Sequence, residues 1–123
     1  MYRIELPWPD KALSPNGRVH WATKARATKT AKTMAAALTR VETKTKPEWL
    51  SAHLQYDFYP KTAHVLDMDN CIASSKAYQD GIAIALGIDD GFFACSYSMK
   101  EPVKGGKVVV TITPYPITES KRN

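Results

Sequence analysis

Asp67, Asp69, Asp80, Asp89 and Asp90 put five of the chain's twelve acidic residues between positions 67 and 90. Carboxylates crowded together repel one another, and a divalent cation between them relieves that cost. The rest of the chain is basic, which suits an anionic polymer as the second ligand. The chemistry that joins these two features is metal-dependent phosphodiester hydrolysis, the work of a magnesium-dependent nuclease.

Asp67 and Asp69 are two residues apart. On extended backbone both side chains point the same way and offer two hard oxygen ligands to one metal. Magnesium takes one or two carboxylates, several waters and the oxygens of a substrate phosphate. By itself a DxD is common in solvated loops. Asp89-Asp90 follows a helical segment, and a chain turning back at Gly87 brings the pair beside Asp67 and Asp69. A polar turn before the next strand accounts equally well for one of the two. Lys76 falls seven residues after Asp69, two helical turns on and on a compatible face. It either neutralises charge on the phosphate or departing oxygen, or pairs with Asp80 at i+4. Asp80 itself reads as that partner or as a supporting group. His64 and His20 are candidate bases or phosphate contacts. The Arg18-Val19-His20-Trp21 loop can bind backbone phosphate and stack on an exposed base, but Trp21 reads first as helix core. Phe92-Phe93 could wedge into distorted nucleic acid, with at least one of them in the core.

The elements that must position these residues follow from periodicity. Tyr2 to Leu6 alternates as a strand and ends at Pro7-Trp8-Pro9. Ser14-Pro15-Asn16-Gly17 is turn chemistry. Trp21 to about Val41 reads as a helix, with Trp21, Ala25, Thr28, Ala31, Met34, Ala35, Leu38 and Val41 as its apolar stripe and Lys24, Lys29 and Lys32 off it. Ser51 to Tyr59 is the clearest strand, with Ala52, Leu54, Tyr56 and Phe58 on one face. Cys71 to Leu86 reads as one second helix, capped by Asn70 and stopped by Gly87. Phe92 to Met99 is a strand, and Gly105-Gly106 turns it into a final hairpin with Val108, Val110 and Ile112 inward. The tail from about 115 is frayed. The order β-α-β-α-β-β predicts an α+β fold, one mixed sheet with two helices on one face.

Size and composition set the outer bounds. The 123 residues make one domain, 44% apolar and 24% charged, with net charge +5. From Lys11 to Lys46 there are nine basic residues and one acid, Glu42. That stretch is either a solvated helix face or a phosphate-contact surface. Cys71 and Cys95 fit no CxxC or zinc pattern and read as buried free thiols. With no signal peptide and no membrane-length apolar run, the expected setting is the cytoplasm. No glycine-rich phosphate loop, no GxSxG and no Cys/His pair at motif spacing is present, so no small-molecule cofactor is expected.

Asp67-Met68-Asp69-Asn70, then Lys76-Ala77-Tyr78-Gln79-Asp80-Gly81, then Gly87-Ile88-Asp89-Asp90 resembles the RusA family of Holliday junction resolvases. Leu6-Pro7-Trp8-Pro9 and Asn16-Gly17-Arg18-Val19-His20-Trp21 look like that family's N-terminal region, particularly in phage or prophage members. The resemblance spans most of the chain. It implies a homodimeric endodeoxyribonuclease in a bacterial host cell that uses magnesium, or manganese in its place. Such an enzyme cuts two opposed strands of a four-way DNA junction in recombination and repair. Asp67, Asp69 and Asp90 take the positions of the metal-binding catalytic carboxylates and Lys76 that of the catalytic-region lysine. Asn70, Asp80 and Asp89 are supporting residues. Arg18, His20, Trp21, Lys24, Lys29 and Lys32 are expected to hold DNA.

Three other readings compete. One is a catalytically idle junction-binding protein. Another is a broader branched-DNA or single-strand nuclease on the same scaffold. The third is a basic RNA- or protein-binding module whose carboxylates are merely solvated, which leaves the motif order unexplained.

Overall fold

A computed structural model describes residues 1–63 and 67–115. Four strands form one mixed sheet: β1 (Tyr2–Pro7), β2 (Ala52–Tyr59), β3 (Phe93–Met99) and β4 (Lys107–Pro114). Three helices join them: α1 (Trp21–Thr43), α2 (Met68–Ser74) and α3 (Lys76–Leu86). Short 3-10 turns follow β1 at Lys11–Leu13 and precede β3 at Asp90–Phe92. The α+β class and the single mixed sheet match the sequence expectation. No described helix is long and apolar enough to cross a membrane.

The strand order is β1-β4-β2-β3. β4 runs antiparallel to both β1 and β2, and β2 runs parallel to β3. The final hairpin expected at Gly105-Gly106 is therefore absent, because β2 lies between β3 and β4. The reason lies in the valines. Val108 and Val110 are buried on the inner face and Val109 on the outer one. A strand buried on both sides belongs in the middle of a sheet. β3 is half-buried and takes the edge. A parallel β2–β3 pair needs a long crossover, and α2 and α3 supply it.

One row of the inner face runs Ile4, Val110, Tyr56, Tyr97 across all four strands. Tyr56, Phe58 and Tyr97 stack there, with Tyr56 and Tyr97 5.3 Å between centroids. Ala31 and Ala35 of α1 and Tyr78, Ile82 and Leu86 of α3 close the same core. The outer face carries His53, Gln55, Asp57, Ser96 and Ser98. His53 Nε2 lies 3.0 Å from Ser96 Oγ, and Gln55 Nε2 donates to Asp57 at 3.1 Å.

α1 and α3 cross closely through small residues. A Cβ built on Gly81 would run into the Lys32 backbone oxygen and stand 3.0 Å from Ala35 Cβ and Ala36 N. This crossing buries the middle of the stripe read in the sequence, where Ala31 and Ala35 are buried and Met34 and Leu38 pack against the core, and leaves its ends outside. Ala31, Ala35, Ala36, Thr39 and Thr43 are the buried residues of α1. Trp21 and Val41, expected in the core, are 76% and 72% exposed.

The helix expected over 71–86 is two helices. Ser75 sits between them at φ −96°, ψ 1°, and its amide reaches back to both Cys71 and Ile72. Its hydroxyl is buried with no partner among the described residues. Asp67, not Asn70, caps α2, because its carboxylate accepts from the Asp69 amide at 2.9 Å. Gly87 ends α3 at φ 67°, the left-handed stop expected of it.

Candidate functional site

The best-defined ionic cluster gathers where α3 begins and the chain returns after it. Lys76 is the first residue of α3, and Asp80 lies one turn on. Gly87 turns the chain back, Ile88 anchors it in the core, and Asp89 accepts from the Gly91 amide at 2.8 Å to close the 3-10 turn. That turn presents Asp90. The Lys76 ammonium donates to Asp80 Oδ1 at 3.0 Å and to Asp90 Oδ2. All three side chains keep a third or more of their surface in solvent. The i+4 pair weighed in the sequence therefore exists, and Lys76 also reaches fourteen residues along the chain to Asp90.

Hydrogen bonding to Lys76 holds the Asp90 carboxyl below the usual range, and the same bond to Asp90 raises the Lys76 ammonium. A carboxyl with a lowered folded-state pKa loses its contribution as pH falls through that value. An ammonium with a raised one loses its contribution only as pH rises through it. The Lys76–Asp90 bridge is thus intact across the neutral range and opens in acid below the ordinary aspartate value, or in strong alkali. We expect a carboxyl-carbon NMR titration to place Asp90 below the ordinary aspartate range and Lys76→Met to move it up. An unchanged Asp90 curve in that variant would remove Lys76 as the cause.

Uncharged groups line the sheet behind this rim. Gln79 Oε1 accepts from Tyr56 Oη at 3.4 Å and from Cys95 Sγ at 3.8 Å. Burial pushes the Tyr97 hydroxyl up to about 12 and raises the Cys95 thiol, so both stay protonated at neutral pH. Both cysteines are free; Cys71 is buried as expected, whereas Cys95 is only half-buried.

Asp67 and Asp69 take a different arrangement from the one read in the sequence. Asp67 is extended but spends its side chain on the helix cap, and Asp69 already lies in the first turn of α2. The two do not project together from one strand. The break at Ser75 also cancels the simple two-turn relation between Asp69 and Lys76. Among the described residues no three His, Cys, Asp or Glu side chains converge closely enough to hold a metal ion. His64 lies outside the described residues. The donor chemistry nonetheless fits magnesium. The side chains on offer are carboxylates, and Asp80 and Asp90 already converge on one cation, the Lys76 ammonium. A magnesium ion needs only one or two such groups beside its waters.

The basic residues of α1 form a surface of their own. His20 caps the helix, its Nδ1 accepting from the Ala22 amide at 3.1 Å. In the neutral ring that assigns the proton to Nε2. The Trp21 ring lies 5.5 Å from the His20 ring. Trp21, Lys24, Lys29 and Lys32 line one open recess on the exposed side of the helix. The structure thus brings four of the six expected DNA contacts together, next to His20; Arg18 sits exposed in the preceding loop. Asn70 faces a separate cleft beside α2, and two cations overlooked in the sequence border the clefts flanking Trp8: Arg26 from α1, and Lys61 after β2. No spacing signal marks either of them, because only the packing of the segment around Trp8 brings them to its two clefts.

No family profile matches this chain. A protein of Xylella fastidiosa (strain Temecula1 / ATCC 700964), described as an uncharacterized protein, is 40% identical over 122 residues, covering 92% of this chain and 76% of that protein. At that identity and coverage, the chain belongs to the same protein family as the Xylella fastidiosa protein.

Proposed function

We propose that this protein is a magnesium-dependent, structure-selective endodeoxyribonuclease that resolves four-way DNA junctions by paired cuts. The observation that carries the reading is the convergence of Lys76, Asp80 and Asp90, from two separated parts of the chain, on an exposed rim. The ordered Asp-x-Asp-Asn, Lys/Asp and Asp-Asp motifs, similar to those of the RusA resolvases, give that rim its interpretation. The exposed Trp21 and its lysines supply a surface for DNA arms.

By the resemblance, Asp67, Asp69 and Asp90 would be the ligands of the metal; of these Asp90 already shares the Lys76 ammonium with Asp80, and Asp67 and Asp69 would have to be drawn to it on binding. When bound, magnesium would polarise the scissile phosphate and lower the pKa of an attacking water. Lys76 places a positive charge where charge builds on the phosphate and the departing oxygen. Asp80 and Asp90 hold that ammonium in position, and Asp89 fixes the turn that carries Asp90. The Arg18–Trp21 loop and α1 orient the backbone. The working form is a homodimer in a bacterial host cell, because two-fold symmetry presents two equivalent sites to a four-way junction.

A second reading has its own support. The Lys76 ammonium already neutralises Asp80 and Asp90, and a protein in which it stayed there would bind junctions without cutting them. Cleavage of a synthetic four-way junction with and without magnesium, Asp69→Asn beside wild type, separates the two. We expect paired symmetric nicks that need both the metal and Asp69. Tight binding with no cleavage under any divalent metal would establish the binding-only form.

A further inference from the structure

A cleft of about 590 Å³ opens between the segment after β1 and α2. Trp8 and Lys11 from the segment after β1, Lys61 after β2, and Asp67 and Asn70 at the start of α2 line it. The Trp8 segment is held firmly. Tyr78 Oη donates to the Pro7 carbonyl at 2.8 Å, and Asp10 accepts from the Ala12 amide at 2.8 Å. Trp8 stands edge-on to Phe58, with centroids 6.2 Å apart. Behind it, Gly106 at φ 70° lets a turn come close; a Cβ there would stand 3.1 Å from Trp8 Cβ and 3.3 Å from the Lys61 amide.

The charges in this cleft are unevenly committed. The Asp10 carboxylate is spent on its turn and Asp67 on the α2 cap. Lys11 and Lys61 are exposed and form no ion pair among the described residues. The Asn70 amide likewise makes no side-chain hydrogen bond among them. The cleft therefore offers two ammonium groups and an amide that have no partner among the described residues, with a half-buried indole, in a space the size of a small-ligand pocket.

We propose that this cleft receives one unpaired nucleotide of a DNA strand, a subsite that rests on the nuclease reading above. Its phosphate lies on Lys11 and Lys61, away from the Asp67 carboxylate. Its base enters between Trp8 and Asn70, where an aromatic ring and an amide suit a base's face and edge. A base stacked in duplex cannot enter such a space, whereas one splayed at a branch can. Because Asp67 borders the same cleft, the captured nucleotide lies beside the acidic motif.

The test uses the metal-free 123-residue chain carrying Trp21→Phe and Trp49→Phe, which leaves Trp8 as the sole indole reporter. It is titrated with a 5′-phosphorylated deoxytrinucleotide and, separately, with a short blunt duplex. We expect the single strand to quench Trp8 and the duplex to leave it unchanged, with binding of the single strand about tenfold weaker in Lys61→Gln or Lys11→Gln. Both lysines are exposed, so these variants keep the fold. No Trp8 response, or wild-type affinity in both lysine variants, overturns the subsite. Magnesium-dependent junction cleavage is scored separately on the wild type. Cleavage without trinucleotide binding rejects the cleft and keeps the nuclease; trinucleotide binding without cleavage supports the cleft and rejects the nuclease.

Discussion

Asp90→Asn is expected to lower magnesium-dependent cleavage of a four-way junction by about a hundredfold or more, while junction affinity stays the same or rises. Asparagine keeps the size and the planar head group, so the 3-10 turn at Asp90–Phe92 is undisturbed; its cap comes from Asp89. The charge is lost, and with it the carboxylate that lowers the cost of bringing a cation to this rim. Lys76 then keeps only its pair with Asp80. Removing a negative charge from a surface that faces phosphates favours DNA binding, which is why affinity should not fall. Single-turnover cleavage and equilibrium binding on the same junction, run at fixed salt, check both halves. A parallel loss of binding and cleavage would place Asp90 in a structural role, and unchanged cleavage would remove it from the reaction.

Gly81→Ala has the largest expected effect on stability, about 3 kcal/mol, lowering Tm by about 10 °C or more. The added methyl group meets backbone of α1 rather than a movable side-chain end: the Lys32 carbonyl, with Ala35 and Ala36 close by. Ordinarily alanine in a helix stabilises relative to glycine by about 1 kcal/mol, so a loss opposes the intrinsic propensity and reports the crossing alone. α1 would have to shift, carrying Trp21 and its lysines with it. Thermal unfolding followed by circular dichroism measures the loss, and a wild-type Tm would show that the two helices separate easily. Junction affinity measured well below the variant's Tm should fall only modestly, because the exposed residues of α1 move together.

The legible parts of this chain were those whose signal is local. The alternation from Ala52 to Phe58 is the β2 strand with the expected side inward, and Gly87 ends α3 in the left-handed conformation that favours glycine. The Lys76–Asp80 pair follows from helical spacing alone. Local competition explains two misreadings. Asp67 reads as one of two parallel ligands until its side chain is seen to satisfy the Asp69 amide, since an aspartate next to a helix start is also a strong cap. Ser75 sits in a run with continuous helical periodicity, yet its backbone leaves the helical region and divides the segment.

By itself, the sequence determined the α+β class, the boundaries of most elements, the basic character of α1 and the acidic content of the stretch from Asp67 to Asp90. Each of these depends on composition or on neighbours within a few residues. Only the tertiary structure decided that β4 lies between β1 and β2, that Trp21 faces solvent, and that Lys76 joins Asp80 to Asp90. The physical reason is common to all three. Each depends on which surfaces pack against which: a valine strand buried on both sides, a helix crossing close enough to exclude a methyl group, and a return of the chain that closes fourteen residues of separation. Sequence spacing carries the period of an element but not the partner its face will meet.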